Sequence, residues 1–433
     1  MGTSDVGPIL PGATPQAAPG AEKQKYRAAA PAPTDTFSPS SDDRGIGLVD
    51  VQAAVRLIKN KKQYGERVLW AFETDGEIYG PVLEHNGKAY FGANNHCFYA
   101  LNPVTGEQLW KFKASGSIRS KPAAGDDGSV YFTDTEKKLY ALNGETGAIQ
   151  WICENIANPD AGPVTGSGNT VFLACWDNCL LALDANTGRE KWRFLTGSWL
   201  SAVPVVKDGV VFLSGSDNKV YAIDEKTGKL KWAKETKAYG NNSPAVSDDG
   251  FLYLGNNEKE FSAFDVKTGE IVWTIKTGDE VYSSPLIKED TIYLGCKDRF
   301  IYAVDRKTGG IKWKQETGGE IWGSPEAGDG GEIFIGSADG KVYAFNASDG
   351  KEIWSFDAGG KVFGSITVSK NGVLYAANTS GRLYSIIYNK NLVTKSLHKE
   401  FKKTVTNAPT IVKEKGSVNI GGVKLPVKKK KRE

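Results

Sequence analysis

The sequence predicts an all-β chain: an eight-bladed β-propeller of four-stranded antiparallel blades, with a disordered N-terminal lead and a basic C-terminal tail. Three observations predict it. A tryptophan returns at Trp70, Trp110, Trp151, Trp192, Trp232, Trp273, Trp313 and Trp354, always 40 or 41 residues after the last. Each interval holds four short runs of strand-forming residues separated by Gly, Asp and Asn turns. An extra copy of the fourth run precedes the first complete unit, as a closed ring requires and an open solenoid does not. Composition agrees, because 50 glycines, 11 tryptophans and 17 tyrosines against the single Met1 favour turns and aromatic strands over helices.

Taken in order, residues 1–45 are rich in Ala, Pro, Gly and Ser, lack periodicity and read as the disordered lead. They contain no basic n-region before an apolar core and no lipobox cysteine, so no secretory signal is visible. An intact chain is therefore expected to be intracellular, with periplasmic and nuclear locations left open. Residues 46–63 follow as a short amphipathic helix, with Leu48, Val51, Val55 and Ile58 at helical spacing opposite Arg56, Lys59, Lys61 and Lys62. It covers the outside of the ring, or else meets a partner or a membrane surface. No run approaches 18 apolar residues, which excludes a membrane-spanning helix.

Residues 64–388 are the propeller. In 281–316 the four runs are Val281–Ile287, Thr291–Cys296, Phe300–Asp305 and Ile311–Gln315. Three further markers keep the tryptophan register: a proline at the inner strand (Pro81 to Pro325, with Ile366 in the eighth place), Ala-x-Asp/Asn, and Thr-Gly, which reads Asp349-Gly350 in the seventh copy. Glu66–Glu73, the extra fourth run, is expected to complete the eighth blade and lock the ring. Leu392–Leu397 is its rival, but lacks both the Thr-Gly and the tryptophan.

The pattern Ala-x-Asp-x-x-Thr-Gly-x-x-x-Trp, with Ser-Pro at the inner strand, resembles the pyrroloquinoline-quinone-like (PQQ-like, tryptophan-docking) repeat. That resemblance covers about 64–388. It implies eight blades, with each outer-strand tryptophan wedged between neighbouring sheets. The family includes quinoprotein dehydrogenases and a non-enzymatic outer-membrane assembly lipoprotein scaffold, so fold alone does not choose a function.

The tail, 389–433, carries 13 basic and 3 acidic side chains, whereas 64–388 carries 33 basic and 42 acidic ones. An acidic body thus bears a basic arm. Lys428, Lys429, Lys430, Lys431 and Arg432 would suit an anionic partner such as nucleic acid or lipid, or a nuclear import signal; otherwise they form a solvated tail. Residues 410–427 are expected to hold a small hairpin around Gly416 and Gly421-Gly422.

Chemistry is sparse. The five cysteines, Cys97, Cys153, Cys175, Cys179 and Cys296, include no adjacent pair of the kind the resemblance associates with a quinone site, and the blades carry no long insertions. No cofactor is expected, PQQ included, and no catalytic or metal-binding residue is assigned. Cys175 and Cys179 flank a turn, but as a zinc half-site they lack a second half. The odd number and irregular spacing of the five cysteines suit reduced thiols, with Cys175 and Cys179 able to pair across the hairpin in an exported chain.

A binding surface is better marked. Trp176, Trp199 and Trp322 stand outside the repeat, and the meander maps all three to one face. The position nine after each repeat tryptophan reads Tyr79, Arg119, Asp160, Ser201, Asn241, Tyr282, Trp322 and Phe363 around the ring. An aromatic arc opposite a polar arc would suit a peptide, glycan or small amphipathic ligand; alternatively these side chains only plug the axis. The expected function is a non-enzymatic binding scaffold, acting as a monomer on a protein or peptide partner, with a glycan also accommodated. The alternatives are a quinone-dependent oxidoreductase and a nucleic-acid-associated propeller recruited by its tail. Replacing Trp232 or Trp273 by Ala is expected to cost about 3–5 kcal/mol.

Overall fold

The computed structural model describes residues 26–28, 65–156, 161–236, 242–393, 418–420 and 423–425. They contain eight antiparallel blades whose strands pair in the order inner to outer. Two compact units divide them. The first, Ser120–Tyr282 with 26–28, holds blades 2 to 5, at 123–153, 164–195, 205–235 and 245–276. The second, up to Arg119 and from Ser283 onward, holds blade 1 (83–113), blade 6 (286–316), blade 7 (326–357) and blade 8.

Blade 8 takes its inner three strands from Thr367–Val368, Val373–Ala377 and Arg382–Ile387, and its outermost strand from Val68–Glu73. Glu73 pairs with Arg382 and Val68 with Ile386. The N-terminal strand therefore closes the last sheet, as its orphan copy of the motif predicts. The rival segment enters a helical turn at 390–393, started by the Asn389 side chain accepting the N–H groups of Asn391 and Leu392. Val393 from that turn packs in one buried cluster with Trp70.

The repeat motif now has a physical explanation. Seven of the eight outer-strand tryptophans stand opposite a fully buried alanine, as in Ala182–Trp192 and Ala222–Trp232, while Trp70 faces the equally buried Ser385, and the ladder slips register at that point in every blade. In several blades the indole Nε1–H donates to a carbonyl of the next blade: Trp70 to Pro103 at 3.0 Å, Trp151 to Ala185 at 2.8 Å, Trp232 to Val266 at 2.8 Å and Trp313 to Ala347 at 3.0 Å. The Thr-Gly of that next blade receives the ring. Gly228 has φ +68, and a Cβ there would meet Trp192 at 2.7 Å. We expect Gly228→Ala to cost about 1–2 kcal/mol from its backbone alone, and more as the indole is displaced. A thermal midpoint equal to wild type would contradict this packing.

The aspartate of the motif ties down the same turn. Asp224, Asp265 and Asp305 accept from the backbone N–H and hydroxyl of Thr227, Thr268 and Thr308, which holds their carboxyls below the usual range. A depressed carboxyl contributes stability that is present above its unfolded value, near 3.9, and lost as pH falls through its folded value. The unfolding midpoint is accordingly expected to hold from neutral pH down to about pH 4 and to decline below it. A midpoint indifferent to acid down to about pH 2 would contradict that role for the turns.

Inner strands are shorter than the sequence suggests. Blade 6 begins its ladder at Leu286, not Val281. Proline cannot donate at Pro285, and Ser283 Oγ replaces ladder bonds by donating to the Gly295 carbonyl and accepting its N–H, both at 2.8 Å. The serine of Ser-Pro then links neighbouring blades of the second unit: the N–H of Ser284 donates to Ser324 Oγ at 2.9 Å, and that of Ser324 to Ser365 Oγ at 3.0 Å.

The lead departs from expectation at Tyr26–Ala28, which pairs with Cys153–Trp151 as a fifth strand on blade 2. An outer blade edge offers unpaired backbone groups, and a short extended segment satisfies them without needing a periodic pattern. Within the expected C-terminal hairpin, Val418–Ile420 pairs with Val423–Leu425, and its three glycines lie outside the described residues. The rest of the lead, the 46–63 helix and Lys428–Arg432 lie outside the described residues. Among the described residues no helix is long and apolar enough to cross a membrane.

Candidate functional site

The position nine after the repeat tryptophan follows a buried aliphatic anchor. Ile78, Ile118, Ile321 and Val362 of the second unit are at most 1% exposed. Ile118, Ile321 and Val362 each lie where a Cβ on Gly92, Gly295 or Gly336 would collide with them. Successive side chains of an extended segment point apart. An anchored Ile or Val therefore turns the residue after it away from the core.

In the second unit this brings three aromatics together. Phe363 stacks on Tyr79 with ring centroids 6.5 Å apart and meets Trp322 edge-on at 5.8 Å. Trp322 is 38% exposed, while Tyr79 and Phe363 are half-buried. Cations sit over each ring: the Arg119 guanidinium 5.6 Å from Tyr79, Lys361 Nζ 5.5 Å from Phe363 and Lys297 Nζ 5.3 Å from Trp322. Such contacts are worth about 0.5–1 kcal/mol when exposed, and they fix where the positive charge lies.

A hydrogen-bond chain holds the cluster. Tyr79 donates its hydroxyl to Glu77 at 3.1 Å, Asn94 donates to the same carboxylate oxygen at 2.8 Å, and Arg119 Nε donates to Asn94 Oδ1 at 3.0 Å. Burial, then the Glu77 bond and charge, raise the Tyr79 hydroxyl above its ordinary value, so it stays a neutral donor at physiological pH. Trp322 Nε1 donates to Glu320 at 2.8 Å. Both carboxylates are thus engaged by neighbouring donors, while the three cations face the rings.

The first unit has its own pair. Trp176 and Trp199 meet edge-on at 5.0 Å, each 38% exposed, in contrast to Trp70 and Trp151 of the repeat at 1% and 4%. We expect Trp199→Ala to move the unfolding midpoint by no more than a few degrees, since an exposed ring contributes little to packing; a loss as large as that of a buried repeat tryptophan would show it to be core. Tyr282 and Ser201 of this unit are half-buried. Asp160 and Asn241 lie outside the described residues.

Beneath Trp176, Cys175 and Cys179 stand directly opposite each other across the blade 3 hairpin. All five cysteines are buried and free. The Cys179 thiol donates to Asp177 Oδ1 at 3.0 Å, and the Cys179 contact, followed by burial, pushes the Cys175 thiol well above its usual value.

Sequence reasoning named the aromatics and Arg119 but missed Glu77, Glu320, Lys297, Lys361 and Asn94. A signal existed for three of them. Glu77-Ile-Tyr79, Glu320-Ile-Trp322 and Lys361-Val-Phe363 each place a charge two residues before the aromatic, on the same side of an extended segment.

Comparison with known proteins agrees with this architecture. The family model described as outer membrane protein assembly factor BamB matches four times, at residues 61–162, 154–244, 237–323 and 297–391. The crystal structure of BamB from Moraxella catarrhalis superposes with a TM-score of 0.65 at 21% identity, covering 74% of this chain and 99% of that one. The computationally designed Ika8 protein superposes with a TM-score of 0.63 at 15% identity, covering 73% and 98%. At such identities the two structures speak to the β-propeller fold alone. No curated protein matches the chain.

Proposed function

We propose that this chain, which belongs to the PQQ-like repeat family of outer membrane protein assembly factor BamB, is a non-enzymatic scaffold that binds a protein partner. The carrying observation is the continuous Tyr79–Phe363–Trp322 cluster with Arg119, Lys361 and Lys297 over its rings. Tyrosine and tryptophan offer large apolar area with few rotors to freeze, and arginine adds a fixed fork of donors. The complementary occupant is a polypeptide segment that presents an aromatic or aliphatic side chain beside acidic ones. The family name makes an assembly role for that partner the natural reading. Leu230 and Ile353 are each exposed on separate outer strands, and lone exposed aliphatics of this kind call for no partner.

The test is site-specific photocrosslinking with a photoreactive phenylalanine analogue at Phe363 and, separately, at Leu230. A discrete protein adduct from Phe363 alone supports the reading. Equal adducts from both positions, or none from Phe363, would overturn it. Quinone addition separates the oxidoreductase alternative, which requires a new absorbance band and dye reduction. Salt-sensitive nucleic-acid binding lost on deleting 423–433 would favour the tail-recruited alternative.

A further inference from the structure

We propose that Cys175, Asp177 and Cys179 form a site for a thiophilic divalent cation of the zinc class at the hairpin tip of blade 3. The two sulfurs and a carboxylate oxygen of Asp177 all lie within 4.8 Å of one another. Two ligands on one tetrahedral zinc are about 3.8 Å apart, given metal–ligand lengths near 2.3 Å for sulfur, so closure needs a shift of no more than about 1 Å. Register makes the pairing rigid. Cys175 and Cys179 are cross-strand partners, and the Leu200 N–H donates to the Cys175 carbonyl at 3.2 Å, pinning that strand end. Both cysteines also sit in a buried cluster with Leu173, Leu181 and Cys153.

The third ligand exists because a repeat residue is missing. In blades 4, 6 and 7 the aspartate at this turn position, Asp217, Asp298 or Asp339, accepts a hydrogen bond from the tyrosine four residues on: Tyr221, Tyr302 or Tyr343. In blade 3 that place holds Leu181, which has no donor to offer. Asp177 turns to the thiol of Cys179 instead. The half-site that the spacing suggests is thereby completed by a residue within its own turn. Asp177 is exposed and the sulfurs are buried, so the cation enters from the solvent side and keeps water in its fourth position. On binding, the dication takes the two sulfurs as thiolates and their two protons pass to solvent.

The test uses the full chain, fully reduced, titrated with Co(II) alone and then with Zn(II). The expected result is a thiolate-to-cobalt charge-transfer band with the visible bands of a tetrahedral ion, saturating at one equivalent and bleached by Zn(II). Cys175→Ser and Cys179→Ser should abolish it, while Cys296→Ser, in the other unit, should leave it intact. The exposed Asp177→Asn keeps the fold and should weaken binding at least as much as the roughly tenfold that supporting groups cost. It decides the matter should either serine variant fail to fold. Absence of the band in the reduced wild-type chain would overturn the site. So would its persistence in Cys175→Ser, or unchanged affinity in Asp177→Asn.

Discussion

Deleting residues 1–75 should destabilise the chain by on the order of 6–10 kcal/mol, whereas deleting 1–64 should cost far less. The difference isolates Val68–Glu73. Its Val68, Leu69 and Trp70 are buried, and its backbone completes the ladder from Val68–Ile386 to Glu73–Arg382. Without it, blade 8 presents an open edge and the Trp70 pocket empties. A loss of this size rivals the whole stability of an ordinary domain. The longer truncation should therefore lose its cooperative unfolding transition. Equal midpoints for the two truncations would show that the strand closes nothing.

Trp70→Ala and Trp151→Ala should each cost about 3–5 kcal/mol. Both indoles are almost wholly buried and donate to a carbonyl of the next blade. The sequence singled out Trp232 and Trp273 for this loss, yet both are half-buried. The regular spacing shows that all eight occupy equivalent places but not what covers each one. Trp70 shares its cluster with Val393, and Trp151 lies on the strand that Tyr26–Ala28 joins. Both neighbouring segments lie outside the repeat. Denaturant titration of Trp70→Ala beside Trp232→Ala should show the larger shift in the former, and the reverse order would contradict this account.

The same distinction explains what the sequence could and could not disclose. Whatever recurs is legible: the alanine facing seven of the eight tryptophans, the glycine under the indole and the proline of the inner strand, with the orphan strand that completes blade 8 read as a copy out of place. The first two answer a steric demand repeated from blade to blade. What arises once is harder to see. Lys297 reaches Trp322 from a different blade turn, so no local pattern announces it. Asp177 matters through the absence of a tyrosine at Leu181, which is visible only once the hydrogen bonds of Asp217, Asp298 and Asp339 are known. The inner strand of blade 6 shortens where Ser283 substitutes its hydroxyl for ladder bonds, and strand propensity does not encode that.

The scaffold reading rests on the Tyr79–Phe363–Trp322 cluster, so the most direct measurement is the affinity of the protein captured at Phe363 for the wild-type chain and for the Trp322→Ala/Phe363→Ala double variant. Removing two central aromatic anchors should weaken binding by about 100-fold or more, while the unfolding midpoint moves by no more than a few degrees. An unchanged affinity in a double variant that is still folded would contradict the account.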